Sequence, residues 1–384
     1  MKTSTVITSP YPAASIVAPR VRDYFLRHLA AVPAGEGEGL APIPDTAVLE
    51  SLINVAFWTS LRREEGFVPK MSLAYVPPSD NGYSMRFEHP MPLTPITMAK
   101  VAPVVERAGI HLGVWVEDGE LYGWGTTRSI PTLGLVVEIV EPALLVVKHH
   151  RGEKTGKYVN VAVLEGDQVK LVDETASSLP DCPALVGSLL GFDSPKSWVG
   201  ALNVLVQLAV SMRAHGRGGL LLVVPSASDT WRDSMVAPMS YAISPPYRGL
   251  SELIREGSAG KKTDRFQQAL REVVDVIAGL TAVDGAAVMT DNYELLAFGA
   301  KIARKRGSPQ VEMVTVTEPV IGGEARTVTP AQLGGTRHLS AAQFVHDQRD
   351  AVALVASQDR RFTVFAWSPC ADQVHGHQVE TLLL

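Results

Sequence analysis

Between Val283 and Ser357 two short motifs interrupt a series of apolar runs, and their placement constrains the fold more than any other feature. Asp284-Gly285-Ala286 opens one apolar run. Gly334-Gly335-Thr336-Arg337-His338 follows downstream, and a second run, Asp350–Ser357, ends in Ser357-Gln358-Asp359. Short apolar runs bounded by turn residues read as buried strands. Glycines let backbone N–H groups approach phosphate oxygens, and an arginine offers those oxygens a fork of donors. A carboxylate can bind a hard cation bridging the same oxygens. These residue types suit a metal-bound polyphosphate, although spacing alone does not single out that chemistry.

The surrounding pattern alternates helices with strands. A helical stripe of Trp198, Ala201, Leu205, Leu208, Ala209 and Met212 precedes a continuous apolar strand at 220–224, with Gly216 placed to end the helix. Asp264 is placed to cap a helix striped by Phe266, Leu270, Val273, Val274, Ile277 and Leu280. Asp291-Asn292 turns the strand after Asp284 back into 294–298, and 311–317 reads as another strand. A second hairpin pairs 351–356 with 362–367. Residues 226–260 read as a polar loop region. The expectation for 195–384 is an α/β domain, a mixed central sheet flanked by helices.

The N-terminal half differs in character. Val21, Tyr24, Phe25, His28 and Leu29 share one helical face. Asp45 caps a second helix carrying Leu49, Leu52, Ile53 and Ala56. Residues 113–117 and 121–124 flank Asp118-Gly119 as a hairpin. Further strands are expected at 135–140, 143–148, 158–164 and 168–172. This predicts an α+β domain over 1–190, an antiparallel sheet preceded by two helices. The proline- and serine-rich stretch 176–196 reads as the boundary.

Composition restricts the function classes. The chain has 384 residues, 46% hydrophobic and 20% charged, enough to bury two cores. A net charge of −5 gives no support to nucleic-acid or acidic-membrane binding. Cys182 and Cys370 are the two cysteines, too few for a disulfide scaffold. No apolar h-region follows Met1, and no apolar run reaches the roughly 18 residues of a membrane span. A cytoplasmic protein is expected. His149-His150 and His375-Gly376-His377 lack a third ligand at useful spacing. The first pair reads as exposed loop, and neither reads as a metal site.

The two motifs resemble those of the diadenylate cyclase domain family, Asp-Gly-Ala and Gly-Thr-Arg-His-Arg. They stand here as Asp284-Gly285-Ala286 and Gly335-Thr336-Arg337-His338-Leu339. Ala297-Phe298-Gly299-Ala300 resembles the family segment running under the adenine, and the strand ending at Ser357 resembles the one ending in Ser-Glu-Glu. The likeness covers the C-terminal half. The N-terminal half resembles the probable sensor regions (DACNV) of divergent cyclase-like proteins, on Phe57-Trp58, Arg63-Glu64-Glu65-Gly66, Trp115, Asp118-Gly119 and Trp124-Gly125.

The resemblance implies a nucleotidyltransferase that condenses two ATP, or related nucleoside triphosphates, into cyclic di-AMP or a related cyclic dinucleotide. Pyrophosphate is released, with Mg²⁺ or Mn²⁺ as cofactor. Two subunits of a homodimer or higher homo-oligomer face each other, each presenting one nucleotide. By the resemblance, Asp284 is the metal ligand and lies near the attacking hydroxyl. Gly285, Ala286 and Gly299 make room for the nucleotide. Gly335 and Thr336 donate to phosphate, Arg337 and His338 neutralise it, and Ser357 completes the contacts. Two positions depart from the family. Leu339 replaces an arginine, and Gln358 replaces a metal-associated glutamate that Asp359, one residue on, would replace only from the other face of a strand. Two further readings follow from these departures: a catalytically inactive nucleotide-binding sensor module, and an assembly protein that uses the domain only to dimerise.

Overall fold

The computed structural model describes residues 9–32, 39–79, 83–150, 158–173, 204–258 and 264–384. The chain forms two compact units, one of Met1–Val172 with Leu384, the other of Asp173–Leu383. The stretch 176–196, Cys182, Trp198 and Ala201 lie outside the described residues, as does the side chain of Asp264.

The first unit begins with helices α1 (Pro12–Ala30) and α2 (Thr46–Ser60). The Asp45 carboxylate accepts from the Val48 N–H at 2.8 Å, the expected cap, and Leu49, Leu52, Ile53 and Ala56 are all buried. Burial along α1 stops at Phe25, so Leu29, expected on the same face, is exposed in the last turn. Strands β1 (Met71–Tyr75) and β2 (Ser84–Pro92), helix α3 (Pro95–Val101) and strands β3 (His111–Glu117) and β4 (Glu120–Thr127) follow. The unit closes with β5 (Leu135–Glu141), β6 (Leu144–His150), β7 (Tyr158–Glu165) and β8 (Gln168–Leu171).

The eight strands order as β2-β4-β3-β1-β5-β6-β7-β8. The sheet is mixed, not antiparallel as expected, because β1 runs parallel to β3. Between them β2 and α3 carry the chain back to its starting end, the long connection a parallel pair requires. The Asp118-Gly119 turn is confirmed, with φ of 50° and 81° at its two residues. His149 and His150 are not an exposed loop: they end β6 and are buried, the flanking Lys148 and Arg151 having suggested a solvated stretch.

The second unit contains α4 (Val204–Ala214), β9 (Gly219–Val224), β10 (Tyr241–Tyr247), α5 (Gly249–Ser258), α6 (Asp264–Thr281), β11 (Ala286–Thr290) and β12 (Leu295–Ala300). After these come β13 (Val314–Thr317), β14 (Arg326–Val328), the single turn α7 (Pro330–Leu333), α8 (Thr336–Asp347), β15 (Val352–Ala356), β16 (Phe362–Ser368), β17 (Gln373–Gln378) and α9 (Glu380–Leu383). The sheet order is β10-β12-β11-β9-β15-β16-β17-β13-β14. Strands β9 and β11 are parallel, as are β13 and β17; the other pairs are antiparallel.

Alternation along the strands builds two cores. Leu221, Val223 and Leu354 pack on one face with α4 and α6, through Leu208, Met212, Leu270 and Ile277. Leu220, Leu222, Val288 and Val355 pack on the other with Phe344 and Val345 of α8. The 226–260 region is not a polar loop throughout, since it holds β10 and α5. His375 and His377 are buried in β17, where Thr317 Oγ1 and His377 Nδ1 lie 2.7 Å apart. No described helix is long and apolar enough to cross a membrane.

Candidate functional site

Topology brings the two motifs to one end of the second sheet. Strand β9 pairs with β11 in parallel, Leu221 beside Ala287, and with β15 in antiparallel, Gly219 beside Ala356. The start of β9, the start of β11 and the end of β15 are therefore neighbours. Gly218, Gly285 and Ser357 flank those three strand ends.

Helix α8 begins at the same end. Gly334 is fully extended (φ 165°, ψ −165°) and Gly335 occupies the N-cap position, so no side chain caps the first turn. The N–H groups there carry the positive end of the helix dipole. A cleft of ≈ 350 Å³ opens at this terminus, lined by Gly334–His338 and by Ala356–Asp359. Gly335, Thr336, Arg337, His338 and Ser357 are thus together in one concavity.

Arg337 reaches back across the strand ends. A Cβ built on Gly218, where φ is +73°, would lie 2.9 Å from Arg337 Nη1 and 3.4 Å from the Ala356 carbonyl oxygen. The positive φ favours glycine, and the absent side chain leaves the guanidinium where it lies. His338 folds the other way, and a Cβ on Gly334 would fall 2.3 Å from its Nδ1. The imidazole is buried at 2% exposure, edge-on to Phe365, and its Nε2 has no hydrogen-bond partner. Burial pushes the His338 pKa down to about 4. It therefore meets the cleft as a neutral imidazole. Desolvation there outweighs the pull of Asp359.

Asp284 sits outside the cleft lining. Its side chain is 97% exposed, and Oδ2 pairs with Lys301 Nζ at 2.7 Å. The Lys301 hydrogen bond and charge hold its carboxyl below the ordinary carboxylate range, and the Arg337 charge adds to the effect. Asp284 and Arg337 thus feel each other at the same end of the sheet. Beside Asp284 the backbone is closely packed. Gly285 has φ +120°, and a Cβ there would lie 2.5 Å from the Gly299 carbonyl carbon. Gly299 has φ +60°, and a Cβ there would lie 2.8 Å from Tyr241 Cδ2. Tyr241 stacks on Phe298 with centroids 4.8 Å apart and planes 2° from parallel. Ala286, fully buried at the start of β11, completes the floor.

Asp359 lies in a turn rather than in a strand, so the alternation that would send it to the far face does not apply. Ser357 and Arg361 close a turn, the Ser357 N–H donating to the Arg361 carbonyl at 3.0 Å, so Gln358 and Asp359 both face the cleft. Burial raises the Asp359 pKa, but the Ser357 hydroxyl and the Arg361 charge outweigh it and hold the carboxyl low.

Sequence reasoning missed Gly218, Lys301 and Tyr241. The signals were a glycine before a buried strand, a cation just past the Phe298 hairpin, and an aromatic in a segment read as loop.

Among the described residues no group of three or more His, Cys, Asp or Glu side chains is placed to hold a metal ion. The donor set fits a hard cation in one way. Mg²⁺ uses one or two carboxylates and completes its octahedron with water and phosphate oxygens. Asp284, exposed and with its carboxyl held below the ordinary range by Lys301, is a single carboxylate of the kind such a cation uses.

A family model described as probable sensor domain DACNV matches residues 38–128. The match runs from α2 to β4 and contains Phe57-Trp58, Trp115, Asp118-Gly119 and Trp124-Gly125. No curated protein matches the chain.

Proposed function

We propose that the second unit, a diadenylate-cyclase-like domain, binds a nucleoside triphosphate, ATP first among them. Two copies facing each other would condense two such nucleotides into cyclic di-AMP or a related cyclic dinucleotide. The observation that carries this reading is the convergence at one sheet end. An uncapped helix N-terminus, Arg337 laid over Gly218, the Ser357 turn and the ionised Asp284 gather within one electrostatic neighbourhood. The first unit would regulate that activity, a reading supported by the match of residues 38–128 to a probable sensor-domain model.

The residues divide the work. The N–H groups of α8 and the Arg337 fork hold phosphate oxygens, fixing the α-phosphorus for in-line attack. His338, neutral and buried against Phe365, anchors the first turn of α8 behind them rather than meeting the phosphates itself. Gly285 and Gly299 let the nucleotide approach the backbone, and the Tyr241–Phe298 stack lies next to that approach. A cation held by Asp284 would neutralise the charge developing on the departing pyrophosphate. Lys301 shields Asp284 until then and must yield one oxygen. Each attacking 3′-hydroxyl forms one phosphodiester bond as one pyrophosphate leaves.

A specific observation favours a second reading. Leu339 is exposed where the family carries a cation, and Gln358 offers an amide where it carries a carboxylate. A cleft so altered suits a module that holds nucleotide without turning it over. The two readings separate in one experiment. Purified protein with ATP and Mn²⁺ is expected to release pyrophosphate and a cyclic dinucleotide, and Asp284→Asn to abolish both. Thermal stabilisation by nucleotide without product would select the binding module.

A further inference from the structure

The first unit holds its own concave site, in which five neighbouring strands each place one polar side chain. Met71, Leu73, Val137, Leu145 and Val147 belong to the core shared with α1 and α2. Ser72, Glu138 and Lys148 alternate with them and so face the other side of the sheet. His111 of β3 and Tyr158 of β7 join them. His111 Nδ1 lies 2.7 Å from Ser72 Oγ, and His111 Nε2 lies 2.9 Å from the Tyr158 hydroxyl. In the sheet order β1, β5 and β6 separate those two strands. A bond across three strands spaced about 4.8 Å apart requires the sheet to curl around this face into a trough.

The trough encloses ≈ 430 Å³, within the range of small-molecule sites. Lys148 Nζ pairs with Glu138 Oε2 at 2.5 Å, the lysine side chain only 12% exposed. Glu138 is 38% exposed, so the pair is half in solvent and contributes little net stability. Lys148 also keeps donors beyond the one Glu138 uses. Lys70 and Arg107, both exposed, stand with Glu106 among the lining residues, and Val136 and Val140 give it apolar wall. Burial holds His111 neutral, its pKa pushed down to about 4, and pushes Tyr158 up to about 12. The lining therefore carries three cations, Lys70, Arg107 and Lys148, against two carboxylates, Glu106 and Glu138, an excess of one positive charge. A polyphosphate would meet both carboxylates, whereas a singly charged acid with a short apolar body meets the excess and the wall.

We propose that this trough is a binding site for a small organic monocarboxylate, its charge met by Lys148 with Lys70 and Arg107 and its body laid on Val136 and Val140. The site is separate from the nucleotide cleft, and its occupancy does not depend on that reading.

The test uses the full chain at pH 7, with thermal melting and calorimetric titration. The probes are hexanoate and benzoate, each beside its neutral amide. Either carboxylate is expected to raise Tm and to bind at least tenfold more tightly than its amide. The paired neutral variant Lys148→Met/Glu138→Gln leaves no unpaired buried charge, and the exposed pair Lys70→Gln/Arg107→Gln leaves the core untouched. Each is expected to weaken binding at least tenfold. Arg337→Ala, in the other unit, is expected to leave it unchanged. The proposal is overturned if neither carboxylate binds, if the amides bind as well, if both neutralised pairs bind as the native chain does, or if Arg337→Ala alone removes the response.

Discussion

At the scale of the residue, the site turns on which side chains are charged at neutral pH. Asp284 is held ionised by Lys301. Removing that partner frees the carboxylate for a cation, so Lys301→Met should lower the Mn²⁺ concentration needed for half-maximal nucleotide binding or turnover several-fold. A titration of Mn²⁺ at fixed ATP checks this; an unchanged or raised requirement would assign Lys301 a role on the nucleotide itself. His338 makes the opposite case. Its folded pKa of about 4 lies below its ordinary 6.5, so the unfolded chain takes up a proton the folded chain refuses. The stability associated with it is complete above about pH 6.5 and is lost as pH falls towards 4, by about 3 kcal/mol for a shift of this size. His111 and His377 titrate in the same direction. Denaturant melts of His338→Leu between pH 7 and pH 4 should therefore show a shallower acid decline than the native chain. An equally steep decline would mean that His338 is protonated in the fold. The sequence set Arg337 and His338 side by side, but it did not show that one reaches across the strand ends and the other is a buried neutral ring. That difference comes from Gly334 admitting the imidazole into the core, a contact between residues whose conformations the sequence does not state.

At the scale of the element, close backbone approaches do the positioning. Gly285 and Gly299 touch where β11 and β12 begin and end, both with positive φ. Gly285→Ala should cost upwards of about 2 kcal/mol, through strain and the 2.5 Å contact, and should lower Tm by several degrees. Gly218→Ala is the more selective test. Its Cβ would meet the movable end of Arg337, so nucleotide affinity should fall by more than stability does. Calorimetric binding and melting on the same protein separate the two effects; equal losses in both would make Gly218 a structural glycine alone.

Most elements were legible because burial imposes a period. Strands β9 and β15 are apolar at every position, and α2 and α6 carry clean stripes. The strands that escaped notice include β2 and β10. Both are sheet edges, neither has a buried face, and both contain prolines, Pro90 and Pro92 in one, Pro245 and Pro246 in the other. Edge strands tolerate proline and need no apolar alternation, so their sequences resemble loops. The parallel β1–β3 pair was hidden for another reason, since pairing direction depends on where the connection travels.

At the scale of the whole molecule, each of the two units carries a cleft of its own. The first has a curled sheet with a polar trough and a sensor-family match. The second has a phosphate-suited helix terminus at the junction of three strands. On the proposed reading, Leu339→Arg with Gln358→Glu should raise turnover at least tenfold if charge limits it. An unchanged rate would place the limit elsewhere. The most direct measurement incubates the purified full chain with all four ribonucleoside triphosphates and Mn²⁺ and identifies the products by mass spectrometry. The account predicts a cyclic dinucleotide and pyrophosphate from the native chain and neither from Asp284→Asn. A native chain that gives no product and shows no nucleotide-dependent rise in Tm would contradict it.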